Sequence, residues 1–280
     1  MSALLNVILL IGLAYLLQDK YLNPADTEEN PVDLLKIKHL HITNYTGTID
    51  REVVKLFGNV ETLSLTNNHI PYIKEDFFNS LKNMRKLYMS GNVIVEEELA
   101  DITQCCKNLK IIELYNSGAS VFTSAEWKKT GELPALEVLF MHGENIQELG
   151  SDLLANPNLR KVTIEFSKTL GPIADGAFNR VKQLEYLNLQ GNKLKKVSKA
   201  LLAPLRNLKE LNLASNDLEE VTVEQLPQMP KLEKLNISHN PIRRVNLKGI
   251  KKIAPNLVEI DVSGLKEVDL PKIEGVRFVQ

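Results

Sequence analysis

The sequence predicts a parallel-sheet solenoid of α/β class, about ten coils long. Two observations carry this: one apolar spacing recurs from Ile37 to Leu265, and apolar and variable residues alternate inside every copy. The best copies read L-x-x-L-x-L-x-x-N: Leu184, Leu187, Leu189, Asn192; Leu208, Leu211, Leu213, Asn216; and Leu232, Leu235, Ile237, Asn240. Val60, Leu63, Leu65, Asn68 and Met84, Leu87, Met89, Asn92 match nearly as well. Counted from the first apolar residue, the copies begin at Ile37, Val60, Met84, Leu109, Leu136, Leu159, Leu184, Leu208, Leu232 and Leu257, at intervals of 23 to 27 residues.

Apolar residues at the fourth and sixth positions with a variable one between them mark a strand with one buried face, so positions three, five and seven point outward. Asn at the ninth position suits the turn that follows, because its amide bonds backbone groups that the strand leaves behind. Stacked copies then form an Asn ladder, which breaks at Ser117, Glu144 and Ser167. A second apolar pair follows each turn: Ile70 and Ile73, Leu194 and Val197, Leu218 and Val221, Ile242 and Val245. A large apolar residue near position nineteen or twenty, at Phe78, Ile102, Trp127, Leu154, Phe178, Leu202, Leu226 and Ile250, predicts a spine on the convex side. No single coil buries its own apolar edge, so the run from 37 to 265 is expected to be one solenoid.

This pattern resembles the extracellular, typical 24-residue class of the leucine-rich repeat family, similar to invertebrate leucine-rich immune proteins and receptor ectodomains. The resemblance implies a curved horseshoe with a concave parallel β-sheet, a role in protein recognition, and no catalytic motif.

Residues 1–14 read as a candidate signal peptide: the apolar run Leu4 to Leu17 is shorter than the ~20 residues of a membrane span, and Gly12 and Ala14 form a small-x-small pair before Tyr15. The run carries no preceding Lys or Arg, and a membrane anchor through Leu4–Leu17 or a capping helix are the alternatives. Residues 15–36 read as an acidic linker or N-terminal cap, and 266–280 as a short C-terminal cap in which Val268, Leu270 and Ile273 cover the last coil. Cys105 falls at an expected core position and Cys106 outward, which leaves an intermolecular disulfide through Cys106 open. The sequons at Asn44 and Asn236 matter if the chain enters the secretory pathway. Asn236 lies on a strand, where its amide has Asn212 and Asp261 as neighbours for a polar ladder.

The formal net charge of −1 gives no electrostatic case for nucleic acid. The basic cluster Arg243, Arg244, Lys248, Lys251 and Lys252 reads as a solvated face. The sequence lacks G-x-S-x-G, G-x-x-x-x-G-K-[ST] and H-E-x-x-H, so no enzyme, catalytic residue or cofactor is expected. His39 and His41 share a strand face, but two ligands do not make a metal site.

The informative surface is the outward one of repeats three to six, where Tyr88, Ile111, Tyr115, Val138 and Phe140 stand where polar residues are expected. With Lys86, Glu113, His142, Lys161 and Tyr186 they make a candidate partner-binding patch, apolar and aromatic with a charged rim. The expectation is a secreted protein-binding module, by analogy in innate immune recognition, with no membrane span and with its oligomeric state open. The alternative is an intracellular or membrane-tethered scaffold using the same face.

Overall fold

In the computed structural model the described residues are 36–43, 57–66, 77–91, 102–116, 129–144, 146, 148–150, 154–167, 169–266 and 269–280. Residues 1–35, Asn44, Asn68, Ile70, Ile73, Asn92, Ser117, Trp127 and Val268 lie outside them. Among the described residues no helix is long and apolar enough to cross a membrane.

Where positions three to seven alternate, the chain extends and pairs with the same positions of the next copy. The strands are β1 (His39–Thr43), β2 (Thr62–Thr66), β3 (Lys86–Ser90), β4 (Ile111–Tyr115), β5 (Val138–His142), β6 (Lys161–Glu165), β7 (Tyr186–Asn188), β8 (Glu210–Asn212), β9 (Glu220–Thr222), β10 (Lys234–Asn236), β11 (Arg244–Asn246), β12 (Glu259–Asp261) and β13 (Arg277–Val279). Eleven of them make one parallel sheet in chain order, while β9 and β11 pair separately on its flank. Register does not slip from coil to coil. Leu63, Leu87, Ile112, Leu139, Val162, Leu187, Leu211, Leu235 and Ile260 are successive partners, and all are buried. A solenoid that stacks like on like buries each leucine against leucines, at roughly 1.5–3 kcal/mol of transfer free energy per side chain. The convex spine is buried at Phe78, Ile102, Leu154, Phe178, Leu202, Leu226 and Ile250. Among the described residues, short 3-10 turns hold Phe78 and Ile250, and four-residue helical turns at 102–105 and α1 (Lys199–Leu202) hold Ile102 and Leu202.

The ninth-position asparagines join coils as well as turning them. The Asn216 amide nitrogen donates to the carbonyls of Leu189, Leu213 and Ala214 at 2.9–3.1 Å, and its oxygen accepts Leu194 N–H at 3.1 Å. Asn192 and Asn240 bond in the same manner. The ladder does not end at Ser167, as the sequence suggested. The Ser167 hydroxyl donates to Ile146 O at 3.0 Å and accepts from Ile146 N–H at 3.1 Å, while Ser167 N–H reaches Asn192 Oδ1. Glu144, at the same position one coil earlier, is buried.

A second asparagine ladder, which the sequence reading missed, sits just before the register mark. Asn83, Asn108, Asn158, Asn207 and Asn256 each donate to a carbonyl of the preceding coil, at Gly58, Lys82, Pro134, Lys182 and Pro230, over 2.7–3.2 Å. Just after the mark runs a row of opposite charges: Lys38 with Glu61, Lys110 with Glu137, and both Arg160 and Lys209 with Glu185, at 2.6–3.2 Å. Exposed pairs of this kind contribute little each, so the row sets charge pattern more than stability.

Strand length follows position five. In β7, β8, β10 and β12 it holds Asn188, Asn212, Asn236 and Asp261, whose side-chain oxygens accept the N–H two residues on, at 2.9–3.0 Å, and the strand stops there. These side-chain oxygens are therefore occupied within their own coil, whereas the amide nitrogens of Asn188 and Asn212 donate to Glu165 and Gln190 of the preceding one.

Two expectations are corrected. Cys106, not Cys105, is the fully buried cysteine, because the core position lies three residues before the register mark, as at Phe57, Leu81, Leu133 and Leu205. The two cysteines form a disulfide with each other, and Cys106 has no surface from which to cross-link a second chain. Beyond Leu265, Arg277–Val279 adds an eleventh strand to the sheet against β12, and Leu270, Ile273, Val276 and Phe278 pack partly buried on the core.

Asn216→Ala strands several buried backbone groups, so it is expected to destabilise the chain by about 2 kcal/mol or more in equilibrium denaturant unfolding. A loss under about 0.5 kcal/mol contradicts the role given to this ladder.

Candidate functional site

Alternation puts positions three, five and seven of β3 to β7 on one face, and zero register shift lines them up in rows. Lys86, Ile111, Val138, Lys161 and Tyr186 form one row, and Tyr88, Glu113, Phe140, Thr163 and Asn188 the next. Tyr115, His142 and Glu165 form the third. The structure thus brings all ten sequence-predicted residues onto one surface. Lys86 and Lys161 are exposed there, and the others are half-buried. Thr163 departs from the pattern: it occupies an outward position but is 1% exposed, small between the larger Phe140 and Asn188.

The rings stack across strands. Tyr115 and Phe140 have centroids 4.8 Å apart, Tyr115 and His142 5.6 Å, and His142 and Phe166 5.2 Å. Lys161 Nζ lies 4.7 Å above the Tyr186 ring. A polar chain leads from this cluster into the next repeats. His142 Nδ1 is 3.0 Å from Glu165 Oε1, Asn188 donates to Glu165 Oε2 at 2.7 Å, and Asn188 Oδ1 accepts Gln190 N–H.

Phe166 is the residue that sequence reasoning missed. It is 41% exposed and sits at position eight, just past the strand, where φ is positive in each copy from the third to the tenth: Gly91, Asn116, Gly143, Phe166, Gly191, Ser215, His239 and Gly264. A bulky side chain in this left-handed region is strained by roughly 1–2 kcal/mol per residue. The next copy accommodates it, because the Phe166 ring occupies the space where Gly191 would carry a Cβ. The available signal was a Phe in a column of Gly, Asn, Ser and His.

Burial on this face raises the carboxyl of Glu113 above the ordinary range, with Lys161 and Lys86 partly opposing the shift. Burial also raises the phenols of Tyr88 and Tyr115, and Glu113 adds to both. On the sheet margin the opposite holds: hydrogen bonds from Lys209 and Arg160 lower the Glu185 carboxyl.

The two histidines of β1 are not set up as ligands. His41 spends its ring nitrogens on Ser64 at 2.8 Å and Thr66 at 3.3 Å, and His39 is exposed. Among the described residues no group of three His, Cys, Asp or Glu converges to hold a metal. Of the basic cluster, Arg244 lies 3.9 Å from Glu220, and Lys251 donates to the carbonyls of Pro255 and Leu257.

Comparison with known proteins agrees with this architecture. Residues 157–218 and 206–264 match the family model described as leucine rich repeat, and 33–125 match that of the BspA type leucine rich repeat region. The chain belongs to the leucine-rich repeat family. It is 29% identical over 167 residues to a probable glycoprotein hormone G-protein coupled receptor of Anthopleura elegantissima, covering 57% of this chain and 17% of the receptor. It is 24% identical over 136 residues to podocan of Mus musculus, covering 48% of this chain and 21% of podocan. With Toll-like receptor 9 of Mus musculus it shares 29% identity over 129 residues, covering 46% of this chain and 12% of the receptor. The chain therefore spans about a fifth or less of the length of these relatives. Among solved structures, a TLR13–ssRNA13 complex superposes with a TM-score of 0.69 at 20% identity, over 85% of this chain and 36% of that one. A leucine-rich repeat protein of Leptospira interrogans gives 0.65 at 20% identity, over 92% and 69%. At these identities the likeness concerns the fold.

Gly191→Ala must displace the Phe166 ring and strain its own backbone. A loss of about 1–2 kcal/mol in unfolding is expected, with a changed environment for Phe166 in NMR spectra. An unmoved ring contradicts the packing described.

Because the Glu113 carboxyl is raised in the folded chain, its ionisation opposes folding. The penalty is full above the folded pKa and vanishes below the unfolded value. Glu113→Gln is therefore expected to unfold at an equal or higher temperature than the parent at pH 7, with the gap closing near pH ~4. A variant clearly less stable at pH 7 contradicts this.

Proposed function

We propose that the chain is an extracellular recognition module that binds a protein partner through the concave face of repeats three to six. The observation that carries the reading is the aromatic surface of Tyr88, Tyr115, Phe140 and Phe166, which with Ile111, Val138 and Tyr186 interrupts a sheet whose outward positions in β1, β2, β8, β10 and β12 are polar. Monomeric sheets seldom leave such side chains in water without use, and aromatic centres with charged rims characterise protein-binding patches. Cross-strand pairs stabilise a sheet by only ~0.2–1 kcal/mol each, a small return for side chains that a polar residue replaces in later copies.

Secretion is part of the same proposal. It draws on the apolar run Leu4 to Leu17 and on similarity to receptors and to podocan. The likeness to Toll-like receptor 9 supports a role in innate recognition. A glycan on Asn44 fits this reading. One on Asn236 would stand on the concave face of repeat nine, outside the aromatic patch. A protein is favoured over a nucleic acid because the patch balances Lys86 and Lys161 against Glu113 and Glu165. No catalytic role is proposed.

Secretion is checked by N-terminal sequencing of the expressed protein, with a mature start near Tyr15 expected and an intact Met1 on cytosolic protein contradicting it. For the face, Phe140→Asp is expected to leave the unfolding midpoint within about 1 kcal/mol of the parent and to abolish binding of a partner captured from the native source. Unfolding of the variant, or undiminished binding, contradicts the assignment.

A further inference from the structure

Resting on the binding face just proposed, we infer that its centre receives a basic side chain of the partner, an arginine in preference to a lysine. The cation is seated on the Glu113 carboxylate among the rings of Tyr88, Tyr115 and Phe140.

Glu113 differs from the other acidic residues that face the sheet. Glu210 and Glu259 pair with Lys234 and Arg277, and Glu165 is held by His142 and Asn188. Glu61, Glu137 and Glu185 on the margin are all matched to Lys or Arg. Glu113 is half-buried, yet among the described residues its carboxylate takes part in no hydrogen bond or direct ion pair. Lys86 and Lys161 act on it only through space, and Lys161 directs its ammonium over Tyr186 instead.

A desolvated, unpaired carboxylate is costly, and partnering by a cation removes that cost. The surroundings suit a planar cation. Tyr88 and Phe140 are the cross-strand register partners of Glu113, and Tyr115 follows it on the same face of β4. Aromatic faces beside a carboxylate attract a guanidinium by cation–π contact and by a forked hydrogen bond, which an ammonium meets less well. The exposed Lys86 and Lys161 flank this point in the adjoining row, so acidic or neutral residues are expected beside the arginine. Binding would lower the Glu113 carboxyl, with Lys86, Tyr88, Tyr115, His142, Lys161, Glu165 and Tyr186 as the other titratable groups on this face. Affinity should therefore weaken as pH falls toward that carboxyl's range.

The test is selection from a random linear peptide library on the intact chain, followed by affinity measurement of the selected peptides on the parent, Glu113→Gln and Phe140→Ala, each first shown to be fully folded at the temperature of the assay. The expected result is peptides sharing one Arg, whose replacement by Gln weakens binding at least tenfold on the parent but hardly at all on Glu113→Gln. Peptides that bind without a basic residue, or equally on Glu113→Gln, while losing affinity on Phe140→Ala, overturn the cation seat and leave the concave face standing. Peptides indifferent to both substitutions, or a library that yields no binder, overturn the face together with the seat.

Discussion

Among the described residues the buried ninth-position asparagines, Asn192, Asn216 and Asn240, each bind two coils at once, and the stacking of the later repeats depends on that double attachment. Asn216 donates to carbonyls of its own turn and of the coil before it, and its side-chain oxygen accepts the Leu194 N–H of that earlier coil. Buried backbone groups left unpaired each cost on the order of 1–3 kcal/mol, so the amide both permits the bend and fixes the spacing at which the next coil stacks. Zero register shift accompanies it in these repeats and holds along the rest of the sheet, so that leucine, isoleucine and valine meet in step from β2 to β12. Where serine replaces asparagine, the Ser167 hydroxyl serves Ile146 as donor and acceptor, so the coupling survives a change of residue type.

Once the interior is held in this way, the outward positions are free to vary, and they divide the sheet in two. From β7 onward, Asn or Asp at position five closes an Asx turn, shortens the strand to three residues, and ties its side-chain oxygen to its own coil. From β3 to β6 the same column carries Tyr88, Glu113, Phe140 and Thr163, and the strands run for five residues. The first arrangement satisfies itself. The second leaves rings half in water, a carboxylate without a direct partner, and a strained phenylalanine leaning over Gly191. Features that raise the free energy of the unbound chain collect on one stretch of one face, as expected where a protein meets a partner.

The fold was legible because it rests on period and alternation, which sequence displays directly. Among the described residues the core leucines, the convex spine and the outward rows other than Thr163 sit where the pattern places them. The errors arose where geometry departs from the nine-residue pattern. Cys105 and Cys106 were exchanged because the core position counts back from the next register mark, across repeats of unequal length. The strand at Arg277–Val279 has no leucine signature, and only its backbone pairing with β12 reveals it. Thr163 is buried by the size of its neighbours, and Phe166 is exposed by a left-handed backbone. Neither property is visible in a two-residue alternation. The pairing state of Glu113 depends on which way Lys86 and Lys161 extend, a matter of rotamers.

The account separates a scaffold made by backbone and buried amides from a face made by outward side chains. Amide hydrogen exchange of a triple variant, Tyr88→Ser, Tyr115→Ser and Phe140→Ser, tests this most directly. Slow exchange of the β4 and β5 amides, unchanged within about tenfold, is the predicted result, because the coil's hydrogen bonds do not pass through those rings. Fast exchange across β3 to β6 would show that the aromatic rows hold the sheet together, and would contradict the division between scaffold and face.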